Sequence, residues 1–287
     1  MKAVYKAELR SYFTSMTGYV FIAFMMLFIG LYVIILNLSG NYPFLGISLA
    51  SLGFIFMIAV PVLTMRSLAE ERKNKTDQLL LTSPVPVRAI VIGKYLAMVT
   101  VFGIVCLICC LIPVLLSHYG STVVINDYAC ILAFFFLGSA YLAIGLFISS
   151  LTESQVIAVL VTFGILLILT FIKDIATMIP GTNIASALGF AILAVILSLL
   201  VYSFVKNWVI TGIAFVIMEL IVWVLYLVKP IIFKGTIPML LSAISLNGKF
   251  ENFVYEIFDL SAILFYVSVA FIFLFLSVQS IQKRRWS

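Results

Sequence analysis

Arg66-Ser67-Leu68-Ala69-Glu70-Glu71-Arg72-Lys73-Asn74-Lys75 puts six charged side chains into ten residues, with apolar runs at 47–65 and 89–117 on either side. Charge at that density does not stay in hydrocarbon, whereas each flanking run has about the 20 residues needed to cross a core roughly 30 Å thick. The chain therefore leaves a bilayer here and returns to it. The composition agrees: 64% of the 287 residues are hydrophobic and 10% are charged, against about 25% charged in soluble domains.

Working outward, apolar runs at 18–37, 47–65, 89–117, 128–150, 155–172, 184–205, 208–228 and 260–280 predict an all-α polytopic membrane protein with about eight transmembrane helices. The third run exceeds a span, so its first turn belongs to the polar segment before it. Only Lys206 and Asn207 separate the sixth and seventh runs. A re-entrant hairpin there would leave Lys206 deep in the membrane at about 2.5–3.5 kcal/mol, which favours two true spans.

Eight spans starting from a cytoplasmic N-terminus put Lys2, Lys6, Arg10, Arg66, Arg72, Lys73, Lys75, Arg88, Lys94, Lys206, Lys283, Arg284 and Arg285 inside and Lys173, Lys229, Lys234 and Lys249 outside. Thirteen of the 17 basic residues against four is the bias of the positive-inside rule, and it predicts both termini in the cytoplasm. That placement also accounts for the net charge of +6 without nucleic acid, because the basic residues sit between apolar runs and not on a soluble module.

Before the first span, Lys2, Lys6 and Arg10 recur at i, i+4, i+8, while Tyr5, Leu9, Tyr12, Phe13 and Met16 form the other face. That pattern predicts a helix lying in the membrane interface over 1–17; the alternative is a loose cytosolic tail. The run after it is too long for a cleavable signal. Residues 229–259 form the one sizeable external segment. In it the apolar stretch Ile237 to Leu246 is too short to cross and reads as a re-entrant or interfacial helix, with Pro230 and Pro238 breaking any continuous helix.

Catalytic signatures are missing from the sequence. It has no GxxxxGK[ST] phosphate loop, no HExxH pair and no GxSxG elbow. Cys106, Cys109 and Cys110 share a helix face, but no His or carboxylate lies within the neighbouring turns, so they read as packing residues.

The polar segment predicts a helix from Arg66 to Thr82, ended by Pro84 and Pro86, with Glu70 and Glu71 paired one turn on to Lys73 and Lys75. Leu79, Leu80 and Leu81 follow as an apolar knob. Such a helix is suited to docking into a groove on a soluble partner; the alternative is a basic loop that only sets topology.

Glu71-Arg72, Thr76, Leu79-Leu80, Ser83-Pro84 and Gly93-Lys94-Tyr95 resemble the ABC-2 type transporter permeases. Gly145 through Ser149-Ser150, Thr152-Glu153 and Gln155 resembles the turn between their fourth and fifth helices. Phe250 through Asp259 to Lys283-Arg284-Arg285 resembles their last helix with its external approach. The gliding-motility and copper-maturation branch is the most similar.

The resemblance implies a single transmembrane permease domain over 1–287, with residues 1–17 as an interfacial elbow helix, 66–88 as a cytoplasmic coupling segment and 229–259 as the external re-entrant segment. It implies an exporter subunit that pairs with a second permease protomer, as a homo- or heterodimer, and rests on a separate cytosolic ATPase. That ATPase binds ATP and Mg, with no cofactor in this chain and no enzyme activity of its own. It carries over Glu70, Glu71, Arg72, Thr76, Leu79 and Leu80 as ATPase-coupling positions. A multi-pass protein of a bacterial cell membrane is implied. The family's usual core has six spans, so 184–205 and 208–228 are an extra pair, suited to an auxiliary membrane or external subunit. The competing expectation is a non-transporting scaffold that passes ATPase motion to an external or auxiliary partner.

Two features remain outside the resemblance. Glu219 falls near the middle of the seventh span, where a carboxyl is costly and a functional candidate; the alternative is a neutral acid bonded to a neighbouring helix. Ser139, Ala143, Gly145 and Ser149 predict close helix approach along the fourth span, and Ser150 to Glu153 reads as a capping box opening the fifth.

Overall fold

The computed structural model describes residues 1–76, 85–118 and 124–286, with the backbone alone at 200, 201, 203–205, 210 and 284–286. Among the described residues every regular element is helical, and seven helices are long and apolar enough to cross a membrane, or eight if a bent pair at 230–254 counts as one span. The chain is thus an all-α, multi-pass membrane protein. It forms two compact units, Met1–Thr170 with Lys249–Ser287, and Phe171–Gly248.

The first unit contains α1 (Lys2–Thr14), α2 (Thr17–Tyr32), α3 (Leu45–Ala50), α4 (Gly53–Thr64), α5 (Ala69–Lys73), α6 (Val87–Cys109), α7 (Ile112–Ser117) and α8 (Val124–Leu151). Most of α9 (Gln155–Met178) belongs to it, as do the end of α13 (Leu246–Val254) and α14 (Leu260–Trp286). Helix α8 is the axis, packed by α14, α6, α4 and α3. Hydrocarbon is as apolar as these side chains, so burial from water does not join the helices; close packing does. Phe56 of α4 lies 5.7, 5.0 and 5.4 Å, centroid to centroid, from Phe102, Phe134 and Tyr141. Gly145 lets α4 approach α8: a Cβ there would sit 2.6 Å from Thr64 Oγ1 and 2.8 Å from its methyl. Gly145 thus permits the close approach expected of the fourth span's small residues.

Three spans are less regular than their sequences suggest. The first ends in a π-helical turn, Val33–Ser39, and the carbonyls of the irregular stretch after it need partners in a low-dielectric setting. Buried Asn37 supplies them, its Nδ2 donating to Tyr42 and Phe44 carbonyls at 2.9 and 2.8 Å while its Oδ1 accepts from Ser48. The second span is α3 plus α4, broken at Ser51–Leu52, and Asp127 from α8 accepts the first N–H of α3 at 2.9 Å. The third breaks at Cys110–Leu111 and resumes as α7 with Pro113 in its first turn, where the missing N–H costs no hydrogen bond.

The second unit holds α10 (Asn183–Val205), α11 (Trp208–Val228), a 3-10 turn at Pro230–Phe233 and α12 (Thr236–Ile244). At 1.5 Å per residue, α10 and α11 are each about 30 Å or longer, so both suit full spans. Lys206, in the left-handed region at φ 51°, turns one into the other, and Asn207 Oδ1 caps α11 by accepting Val209 N–H at 3.0 Å. Helix α12 covers most of the short apolar stretch Ile237 to Leu246, and Phe233 packs edge-on against Phe190 and Tyr226.

Candidate functional site

The charged run forms a helix much shorter than its sequence predicts. Helix α5 is only Ala69–Lys73, and residues 77–84, with Leu79 and Leu80, lie outside the described residues. Its C-terminus closes in a Schellman arrangement: Thr76 N–H donates to Glu71 C=O at 2.9 Å and Lys75 N–H to Arg72 C=O at 3.0 Å. Lys75 holds the left-handed position at φ 56°, where glycine is usual, so no glycine marks the stop. Among the described residues, Glu70 and Glu71 pair elsewhere than with the lysines one turn on. Glu70 turns back to Arg66 Nε at 3.0 Å, and Glu71 reaches into the neighbouring spans.

Three attachments hold α5. At its N-terminus, Leu68 and Ala69 N–H donate to Ser149 Oγ of α8 at 3.3 and 3.1 Å, so a distant hydroxyl supplies the missing cap. On one flank, Arg72 donates through Nη2 to Glu153 Oε1 at 2.7 Å and through Nη1 to Ser150 C=O at 3.3 Å. The predicted capping box at 150–153 is not formed. Ser150 remains inside α8 with its hydroxyl on Phe147 C=O, α9 starts at Gln155, and Glu153 is taken by Arg72.

The third attachment is a buried ion cluster. Lys94 of α6 is 1% exposed, and its Nζ donates to Glu71 Oε1 at 2.7 Å, Ser67 C=O at 2.8 Å and Glu8 Oε2 at 3.1 Å. An ammonium has three donors, and all three are used. The neighbouring Gly93 brings α1 to the same place, since a Cβ there would lie 3.1 Å from Val4. Gly93-Lys94 therefore combines close approach with charge pairing, joining α1, α5 and α6 at one point. Tyr12 of α1 is also buried and donates to Leu63 C=O at 3.3 Å. Burial, reinforced by the Glu8 carboxylate, holds its phenol well above the ordinary range, so it stays a neutral donor. Along α1 the exposures follow the amphipathic pattern, with Lys2, Lys6 and Arg10 exposed and Tyr5, Leu9, Tyr12 and Phe13 buried or half-buried, whereas Met16 lies past the helix end and is exposed.

Of the residues singled out in the sequence, Glu71 and Arg72 thus point into the protein, Glu70 is about one-third exposed, and Thr76 is exposed with its hydroxyl on Glu71 C=O. The exposed tip is Lys73, Asn74, Lys75 and Thr76. A polar cleft of about 200 Å³ lies between α1 and α5, lined by Glu8, Tyr12, Ser67, Glu70 and Glu71 among others. Glu219 belongs to the second unit, where Trp223 Nε1 of its own helix donates to Oε2 at 3.1 Å. Glu8 was not singled out in the sequence, and Lys94, Ser149 and Glu153 were quoted there only within family or helix-packing patterns, without a part in this site. Lys94 carried a usable signal, since a cation two turns into a span requires a carboxylate partner.

A family model described as ABC-2 family transporter protein matches residues 39–206, more than half of the chain. Among curated proteins and solved structures, nothing matches.

Proposed function

The chain belongs to the ABC-2 transporter family, and on that premise we propose that it is the permease subunit of an exporter powered by a separate cytosolic ATPase. The family membership makes it a membrane component of a transporter; the coupling is our reading. The observation that carries it is the triple attachment of α5. A five-residue helix tied to α1, α6 and the α8–α9 turn, with Lys73 to Thr76 left exposed, is built to receive a push and share it among several spans.

In this reading the exposed tip, continued by Leu79 and Leu80, meets the ATPase. Glu71 and Arg72 are positioning residues that hold α5 to the spans, and Glu70 with Arg66 stiffens its start. ATP and Mg are held by the ATPase, so this chain hydrolyses nothing. Two permease protomers line the path, in a bacterial plasma membrane with the node facing the cytosol. The gliding-motility and copper-maturation branch is part of the same proposal.

Co-reconstitution with the ATPase tests this. Charge reversal at the tip, Lys73→Glu with Lys75→Glu, is expected to release the ATPase. Arg72→Ala with Glu71→Gln is expected to keep the complex but lower ATP turnover. If both pairs leave association and turnover unchanged, α5 is not the coupling element.

A further inference from the structure

Glu219 is the twelfth of the 21 residues of α11, so it sits at the middle of a span. Among the described residues its partner is the Trp223 indole, one turn along the same helix. One N–H cannot satisfy two carboxyl oxygens, and hydrocarbon offers nothing more. The residues around it form a pattern. Gly212, Val216, Glu219 and Trp223 recur at spacings of four, three and four, which is the seam along which two helices pair in a left-handed crossing. The seam is open: a Cβ on Gly212 would meet nothing within 4 Å, Val216 is 58% exposed and Trp223 is 42% exposed. A glycine at one end permits close approach, and a polar group stands at the centre.

Charge decides what fills it. A carboxyl at mid-span is stabilised by a basic side chain at the same depth. A second copy of this chain offers none. Lys94 has spent its three donors on Glu71, Ser67 and Glu8, while Arg88, Lys173 and Lys283 stand within two turns of their helix ends and Lys206 lies between helices. We infer that the Gly212–Trp223 seam of α11 docks a transmembrane helix of a separate protein, one that carries a lysine or arginine near its own midpoint. The inference concerns a partner within the membrane and does not depend on the ATPase reading.

The test uses the full-length protein in detergent and biotinylated Leu/Ala peptides of about 20 residues, the length of a span. One peptide has lysine at its centre and the other leucine. Wild type is expected to be captured about tenfold better on the lysine peptide. Glu219→Leu removes that preference, and Glu219→Asp keeps most of it. Val216→Trp fills the seam with the carboxyl in place and lowers capture on both peptides, which separates lost docking from a misfolded acid variant. Equal capture of wild type on the two peptides overturns the inference, as does a preference that survives both Glu219→Leu and Val216→Trp. High-yield disulfide formation between two Gly212→Cys chains in membranes overturns it too, in favour of a second copy.

Discussion

The Lys94 cluster and the α11 seam both place charge at membrane-spanning helices, and they resolve its cost in opposite ways. Lys94 finds two carboxylates and a carbonyl within its own unit, gathered from α1, α5 and the turn before α5. Glu219 finds one indole on its own helix. The surroundings differ in the same sense: 39% of the span that carries Lys94 is buried, against 6% of the span that carries Glu219. The family match covers α3 to α10 and stops at residue 206, just before α11. Charge closed within the chain marks machinery the protein completes by itself; charge left open marks a surface completed by something else.

The sharpest way to break this contrast is Lys94→Met. It removes a buried ammonium from the half-buried Glu8 and Glu71 carboxylates and is expected to cost about 3 kcal/mol, the low end for breaking a buried pair, read as a large drop in the unfolding midpoint in detergent. Adding Glu8→Gln and Glu71→Gln removes the stranded charges and recovers most of the loss. If it does not, the cluster is not a self-contained unit. Next in size is Gly145→Ala, whose new methyl meets Thr64 at 2.6 Å. A cost of about 1–3 kcal/mol is expected, with recovery in the Thr64→Ala double variant, by the same measurement.

A smaller effect belongs to Asp259, whose Oδ1 accepts Ser261 and Ala262 N–H at the start of α14 while Oδ2 accepts from Asn252. Hydrogen bonds from the Ser261 and Asn252 side chains, helped by the two backbone N–H groups, hold its carboxyl below the usual range. Asp259→Ala is expected to cost about 1 kcal/mol as a lost helix cap. A depressed pKa means the folded state binds fewer protons. The advantage over alanine is therefore present above about pH 4, the unperturbed value, and fades as pH falls through the lower folded one. A pH series of melting curves on both proteins checks the sign. The smallest effect sharpens the comparison from the other side. Glu219→Leu in the isolated chain is expected to change stability by less than about 0.5 kcal/mol, as surface substitutions do. A drop as large as that of Lys94→Met would show that Glu219 already has its partner.

Span positions were legible because each is a run of the right length, and the polar segment after the second span was legible because charge stood between two such runs. The length of α5 was not. The pairs available to Glu70 and Glu71 along a continued helix looked adequate, while the contacts that won, to Arg66 and Lys94, include one from a residue 23 positions away. The helix stop rests on a lysine in a left-handed conformation, for which sequence gives no warning. Glu153 misled in the same way, since a local capping pattern lost to Arg72, 81 residues away. Glu71 and Arg72 were found as positions, but their inward direction depended on Ser149, Lys94 and Glu153, which motif spacing does not connect.

The link between α4 and α5 is only Met65–Leu68, and it is braced, with Ser67 N–H on Thr64 C=O at 3.1 Å and Ser149 gripping its far end. A joint so short stores no play. On the coupling proposed above, a push on α5 would reach α4 as a crank turns a shaft, with little amplitude lost on the way. The nearest point of compliance is Pro61, one turn up the shaft, where the helix lacks a rung of its hydrogen-bond ladder. Stiffness below that point and give above it would set where such a push becomes a change of tilt.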